Sequence, residues 1–282
     1  MSRQGYYRAE WRSKHRQDIA TQVVSLVKQV RRELPRVGTR KLHYMLREPL
    51  SELGVGRDKL FAILKANNLD IKPVRSYRTT TNSKHMFYKH KNLIAGIVPN
   101  RPEQVWVSDI TYLGHRDKHR YLSLITDAYS KKIVGYNLSE NLNAEGCIKA
   151  FKMAIKNRDY PETMLIHHSD RGIQYCCNEY QRQMESCGVR CSMTESYDPY
   201  ANAVAERVNG ILKQEFLLED YNLNTPMMRV LVRESVEKYN GLRPHLSCAM
   251  LTPNQMHKQD KVIIKTYRKN RQQSDRIAAC HN

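Results

Sequence analysis

The stretch Val105-Trp106-Val107-Ser108-Asp109-Ile110-Thr111-Tyr112-Leu113 decides the fold. Beta-branched and aromatic residues dominate it, no Gly or Pro interrupts it, and a carboxylate sits at its middle. That pattern reads as a buried strand, over 104–113, that carries one acid. Working outward, 119–127 and 131–139 read as two further strands. The turns between them are short, Asp127-Ala128-Tyr129-Ser130 among them, which favours an antiparallel meander. A helix over 143–158 then leads to a strand at 163–169, a helix at 177–187 and a short strand at 189–193. Two more helices follow, one through residues 201–210 and one over 226–240. Three strands followed by alternating helices and strands predict an α/β fold with a mixed sheet flanked by helices.

Two other acids share the character of Asp109. Asp170 ends Met164-Leu165-Ile166-His167-His168-Ser169-Asp170 and is followed at once by Arg171-Gly172. Glu206 lies in Ala201-Asn202-Ala203-Val204-Ala205-Glu206-Arg207-Val208-Asn209-Gly210, separated from Asp170 by a gap of 35 residues. Carboxylates on two strands and a helix, with no Cys or His at ligand spacing, suit a hard divalent cation, which prefers oxygen ligands. Two-metal phosphoryl transfer uses such acids to hold two cations ~4 Å apart. On a helical projection Glu206 shares a face with Asn202, Asn209 and Lys213, while Val204, Val208 and Ile211 fall on an apolar face. The helix is thus expected to bury one side and offer a polar stripe. For any single acid a salt-bridged or capping carboxylate is the commoner explanation, so the neighbourhoods must decide.

Charge divides the chain. Of a net +19 over 282 residues, 1–102 carry +15, 258–282 carry +5, and 103–257 carry −1. A near-neutral body between basic flanks fits a catalytic core with polyanion-binding arms. Hydrophobic content of 40% and charged content of 27% argue against global disorder. No apolar run approaches the ~18 residues of a membrane span, and there is no signal-peptide core. Seven cysteines, none before Cys147, read as free thiols in a reducing, cytoplasmic setting. No CxxC pair exists, and His115 and His119 lack a cysteine partner at finger spacing, which disfavours structural zinc there.

Residues 1–18 are polar and basic and read as an arm or frayed helix. From Ile19, apolar residues recur at helical steps through Val23, Val27 and Val30 to Leu34. Gly38-Thr39 reads as a stop and N-cap for a second helix through Leu42 and Met45, 49–56 as turn-like, and a third helix follows with Leu60, Ile63 and Leu64 inward and Arg57, Lys59 and Lys65 outward. This order resembles a helix-turn-helix module over 1–69. A small bundle with a solvated charged face is the alternative, against which the +15 balance weighs. Residues 70–102 read as a basic linker able to track a phosphate backbone. Tyr77, Phe87 and Tyr88 in it could stack on bases or pack on the next domain. Residues 258–282 read as a basic tail.

Four stretches carry a specific resemblance. They are Val105–Tyr112; His167-His168-Ser169-Asp170-Arg171-Gly172-Ile173-Gln174-Tyr175; Asn202–Glu206 with Leu212-Lys213-Gln214-Glu215-Phe216; and Tyr239-Asn240-Gly241-Leu242-Arg243-Pro244-His245-Leu246 with Thr252-Pro253. With the spacing of the acids, residues 103–257 resemble the integrase-type catalytic core of DDE transposases, which has a ribonuclease-H-like fold. More narrowly, they resemble the subunit encoded by the second reading frame of bacterial insertion sequences. Less specifically, the N-terminal region resembles that group's helix-turn-helix segment, around Gly38-Thr39-Arg40.

The resemblance implies that Asp109, Asp170 and Glu206 form a catalytic triad binding two Mg²⁺ (or Mn²⁺) ions. It implies cleavage at the ends of an element, followed by strand transfer, without a covalent protein–DNA intermediate. Implied partners are double-stranded DNA (terminal inverted repeats and target), further copies of the chain on DNA, and an upstream-frame protein or frameshift fusion. A bacterial, nucleoid-associated location follows, with no membrane. Arg40, Arg57, Lys59 and Lys213 are candidate DNA contacts. His168 is a lesser catalytic candidate, and Arg243 and His245 either fix the C-terminal helix or touch DNA. Asp127 and Asp198 are accounted for by turn chemistry. A domesticated DNA-binding protein without transposition activity is the rival of another class.

Overall fold

In a computed structural model of the chain, residues 2–72, 87–114, 119–194 and 203–258 are described. The N-terminal region is helical: α1 (Arg3–Glu33), α2 (Thr39–Met45), α3 (Arg47–Glu52) and α4 (Arg57–Ala66). Of the two readings of residues 1–18, the helix holds and the arm does not: residues 3–18 are the first half of α1, capped by Ser2, whose hydroxyl accepts the Gly5 N–H at 3.1 Å. Their exposure all round removes the apolar periodicity that would have announced a helix. Residues 49–52 are not a turn but lie in α3, because Pro49 falls in the first turn, where no intrahelical N–H is required.

Strand β1 (Val105–Leu113) lies at the centre of a five-stranded sheet of order β3-β2-β1-β4-β5. On one side, β2 (Arg120–Asp127) and β3 (Ile133–Ser139) pair antiparallel, as the short turns require. Strand β3 starts later than 131 because Lys131 completes the turn with φ +66°. On the other side, β4 (Ile166–Ser169) and β5 (Arg190–Met193) run parallel to β1. Parallel neighbours need crossovers, supplied by α5 (Ala144–Lys156) and by the single turn α6 (Ile173–Cys176) with α7 (Asn178–Ser186). The described residues close with α8 (Ala203–Gln214), α9 (Thr225–Gly241) and α10 (Pro253–His257), the last opened by a Thr252/Gln255 capping box.

Side chains of β1 alternate between two cores. Trp106 packs with Phe151, Tyr175, Tyr180 and Met184 of α5, α6 and α7. Val105 and Val107 face the opposite way, onto Ile166, Ala205 of α8, and Leu93 and Ile94. Residues 87–102 are therefore partly docked rather than a free linker, and the Leu93 N–H donates to Ser192 Oγ at 2.8 Å. Phe87 and Tyr88 are exposed, while Tyr77 lies outside the described residues. At Gly135 a Cβ would stand 2.2 Å from the Ala150 carbonyl oxygen, so only glycine allows β3 to approach α5 so closely.

The N-terminal helices share one apolar cluster with α8, α9 and residues of β1, β2 and β3. The Arg36 N–H donates to the Glu215 carbonyl at 3.0 Å, and Lys238 pairs with Glu33 at 3.1 Å. Among the described residues no helix is long and apolar enough to cross a membrane. The six described cysteines are free.

Candidate active site

Strands β1 and β4 pair in parallel up to Ser108 beside Ser169. The next residue on each is an acid, so Asp109 and Asp170 leave the ladder side by side on neighbouring strands, which lie ~4.8 Å apart. Alternation puts both on the face covered by α8. There Asn209, buried on α8, donates a 2.7 Å hydrogen bond from Nδ2 to Asp109 Oδ2. Glu206 sits one turn earlier on the same helix, exposed, with its charge within electrostatic reach of Asp109.

The Asp109 carboxyl is pushed up to about 7. Burial is the largest cause, the charge of Asp170 next, and Glu206 adds to it, against the hydrogen bonds from Asn209 and the Ile110 N–H. Such crowding of negative charge is relieved by a proton or by a cation. The donors at this point are carboxylate oxygens, which suit Mg²⁺ or Mn²⁺ and not a soft metal. The Asp170 carboxylate is held by its own loop, because Oδ1 accepts the Gly172 N–H at 3.0 Å in an Asx turn. A Cβ at Gly172 would lie 2.9 Å from that oxygen, so the glycine lets the loop fold over the acid.

The polar stripe expected on α8 is only partly a stripe. Asn209 is turned into the sheet, Lys213 is largely buried and paired with Glu219 at 3.6 Å, and Asn202 lies outside the described residues. The charge of Lys213 is thus already engaged by a carboxylate. Arg40, Arg57 and Lys59 are exposed on the N-terminal helices, remote in sequence from the acids, with Arg57 paired to Asp58 at 2.9 Å.

The two histidines separate as alternation demands. His167 points to the α5–α7 face, where Nε2 meets Ser108 Oγ at 2.7 Å and the Tyr180 hydroxyl at 2.9 Å. Burial, with a smaller contribution from His168, pushes its pKa down to about 3, so the ring stays neutral. His168 is on the acid face, but it is fully buried and both ring nitrogens are bonded, Nδ1 to Ser192 Oγ and Nε2 to Thr194 Oγ1. It ties β4 to β5 and is not poised as a base. Arg243 is structural too: its guanidinium grips both oxygens of Glu215 at 2.8 and 2.7 Å and contacts His245 Nε2 at 2.8 Å. Asp127 caps its turn, accepting the Ser130 N–H at 2.7 Å, and also receives the Glu103 N–H at 2.7 Å. Asp198 lies outside the described residues.

Sequence reasoning put Asn209 on the face of Glu206 without giving it a task, although its +3 spacing was the signal. Glu103 was missed altogether, being a single acid before the strand.

Two family models described as "Integrase core domain" match, over residues 99–199 and 187–253. The chain is 37% identical over 219 residues to an uncharacterized 31 kDa protein of insertion element IS600 from Shigella sonnei, covering 77% of this chain and 79% of that one. It is 30% identical to the transposase InsF of insertion sequence IS3fB from Escherichia coli K12, covering 71% and 69%. Among solved structures, a chain of the simian T-cell lymphotropic virus intasome in complex with the PP2A regulatory subunit B56 gamma superposes with a TM-score of 0.50 at 20% identity, over 82% of this chain and 79% of that one.

Proposed function

Since this chain belongs to the IS3-family insertion-element transposases with an integrase core domain, we propose that Asp109, Asp170 and Glu206 hold Mg²⁺ (or Mn²⁺) for DNA cleavage and strand transfer at the ends of its element. The observation that carries this assignment is the register of β1 and β4, which brings Asp109 and Asp170 abreast under the helix of Glu206. When bound, two such cations supply Lewis-acid activation of an attacking oxygen and stabilise the leaving one. The chain's own residues do the positioning. Asp109 is fixed by the central strand and by Asn209, and Asp170 by the Gly172 N–H. Glu206 projects into solvent from the first turn of α8, where a phosphodiester can reach it.

The substrates in this reading are double-stranded terminal inverted repeats and target DNA, held by several copies of the chain, with an upstream-frame protein or fusion as a further partner. The helices of residues 1–69 supply DNA contacts through exposed Arg40, Arg57 and Lys59, 70–102 form the connection, 103–257 the core, and 258–282 a basic tail. The reading of the tail, like that of 73–86, lies outside the described residues apart from Lys258.

The test uses the full chain with labelled element ends. Mg²⁺-dependent cleavage and joining are expected to vanish in Asp170→Asn and in Glu206→Gln while end binding persists. Undiminished activity in either variant overturns the assignment.

A further inference from the structure

At the opposite end of the sheet, about 20 Å along β1 from Asp109 at the usual strand rise, three residues from distant parts of the chain converge. Glu103 precedes β1, Asp159 follows α5, and His257 ends α10; one ligand atom from each lies within 4.8 Å of the others. Glu103 and His257 are buried, and Asp159 faces solvent.

The protons of this cluster can be placed. Ser130 Oγ lies 2.8 Å from Asp127 Oδ1, and a carboxylate only accepts, so the hydroxyl proton points there. Ser130 Oγ is also 2.8 Å from His257 Nδ1, which must therefore carry the proton of that contact. That leaves Nε2 of a neutral ring as a bare lone pair. It is buried, has no hydrogen-bond partner, and is aimed at Glu103 Oε1 at 3.6 Å and Asp159 Oδ2 at 3.4 Å. Three lone-pair atoms converging at a largely buried point favour a positive charge between them, beyond what Lys132 and Arg158 supply to the two carboxylates from outside.

An imidazolium proton is one way to supply it, but charge-assisted N–H···O contacts contract to about 2.7–2.9 Å. The two separations at Nε2, 3.6 and 3.4 Å, instead lie close to the ~3.4 Å ligand–ligand edge of a tetrahedron around zinc with ~2.0–2.1 Å bonds. The Asp127–Ser130–His257 relay also has the form that fixes the tautomer of a metal-ligating histidine. Glu103 is further oriented by Arg158 Nε at 2.9 Å on its other oxygen and by the Asp159 N–H at 2.7 Å on Oε1. Lys132 Nζ pairs with Asp159 Oδ2 at 2.8 Å.

We propose that Glu103 Oε1, Asp159 Oδ2 and His257 Nε2 form a structural site for a borderline divalent cation of the zinc class, which pins α10 to the start of the central strand. Lys132 stands at its entrance and swings to solvent when the cation enters. The site is separate from the three acids on α8, β1 and β4, and its role is to hold the C-terminal end of the core in place.

The experiment uses the full chain carrying Asp109→Asn and Asp170→Asn, so that the carboxylates of the other site do not take the metal. Equilibrium dialysis against Zn²⁺ is expected to give one tightly held ion per chain, and Co²⁺ in its place the intense visible absorption of a tetrahedral site. A hundredfold excess of Zn²⁺ over Kd is expected to raise Tm by about 5 °C. Adding Asp159→Asn, at a solvent-facing residue that leaves the fold intact, removes uptake, the Co²⁺ band and the Tm rise; His257→Gln does the same. If the chain takes up no more Zn²⁺ than its Asp159→Asn version, or if Co²⁺ stays octahedral, the proposal fails and the three residues form a polar network without a metal.

Discussion

Asn209 Nδ2 lies 2.7 Å from Asp109 Oδ2, joining residues 100 positions apart and fixing α8 on the central strand at the acid. A hydrogen bond to an ionised acceptor is worth about 1.5–3 kcal/mol, and here it also sets the direction of a carboxylate oxygen. Asn209→Ala is expected to lower the rate of strand transfer about tenfold to a hundredfold with end binding unchanged. Asn209→Asp, which places a second charge against Asp109, is expected to lower it further and to recover partly as Mg²⁺ is raised. Single-turnover rates across a Mg²⁺ titration check both, and a wild-type rate in Asn209→Ala contradicts the role.

Asp109 carries the cost of that crowding. Its folded pKa of about 7, raised by burial and then by Asp170, lies above the ordinary carboxylate value. Between pH 4 and 7 the folded state therefore binds more protons than the unfolded one, and metal-free stability falls as pH rises through that window. In EDTA at pH 8, Asp109→Asn is expected to raise Tm by about 2–4 °C, the shift that about 1 kcal/mol produces, while abolishing cleavage. The gain should disappear at pH 4, where the wild-type acid is protonated. Thermal melts at the two pH values decide it, and an equal shift at both contradicts the electrostatic cause.

Glu215 fastens the N-terminal helices to the core. Burial pushes its carboxyl up, but Arg243 and then Lys41 hold it below the usual range. Lys41 Nζ sits 3.4 Å from Oε1, and burial followed by the Arg243 charge lowers the lysine to about 8. Glu215→Ala leaves two buried cations facing each other and is expected to cost about 3 kcal/mol or more in urea unfolding. A lysine depressed in the folded state binds fewer protons there, so the stability of the wild-type protein should rise between pH 8 and 10.5. Lys41→Met is expected to flatten that rise.

How far these features could be read beforehand depends on whether their cause is local. The uninterrupted run of β-branched and aromatic residues about Asp109 announced the strand, and the short turns at Asp127–Ser130 announced its antiparallel neighbours. Helix α3 was hidden by Pro49, which reads as a breaker until its place in the first turn is known. The first half of α1 was hidden because it packs against nothing described and so shows no apolar stripe. The three acids stood out because the stretches around them, and the spacing between them, carry the family resemblance. Glu103, Asp159 and His257 did not, since a loop, a helix end and a five-residue helix bring them together only through tertiary packing.

Gly172 tests whether the loop after β4 serves the acid or the fold. Its φ is −65°, a value any residue adopts, so no backbone strain is at stake. What a side chain would meet is Asp170 Oδ1 at 2.9 Å and Gln174 Oε1 at 3.3 Å. The polar end of a glutamine can swing away, whereas the carboxylate is held between its strand and the Gly172 N–H at 3.0 Å. Gly172→Ala is therefore expected to rotate the Asp170 carboxylate and to weaken this Asx turn. Because the contacts are with two side chains just beyond β4, unfolding in urea should change by less than about 1 kcal/mol. A misplacement of an ångström near reacting atoms costs on the order of a hundredfold, so cleavage should fall by about that factor. Mn²⁺, with looser demands on geometry than Mg²⁺, should restore part of it. A variant with wild-type cleavage in Mg²⁺ would mean that Asp170 does not need this orientation, and a variant that fails to fold would assign Gly172 to packing.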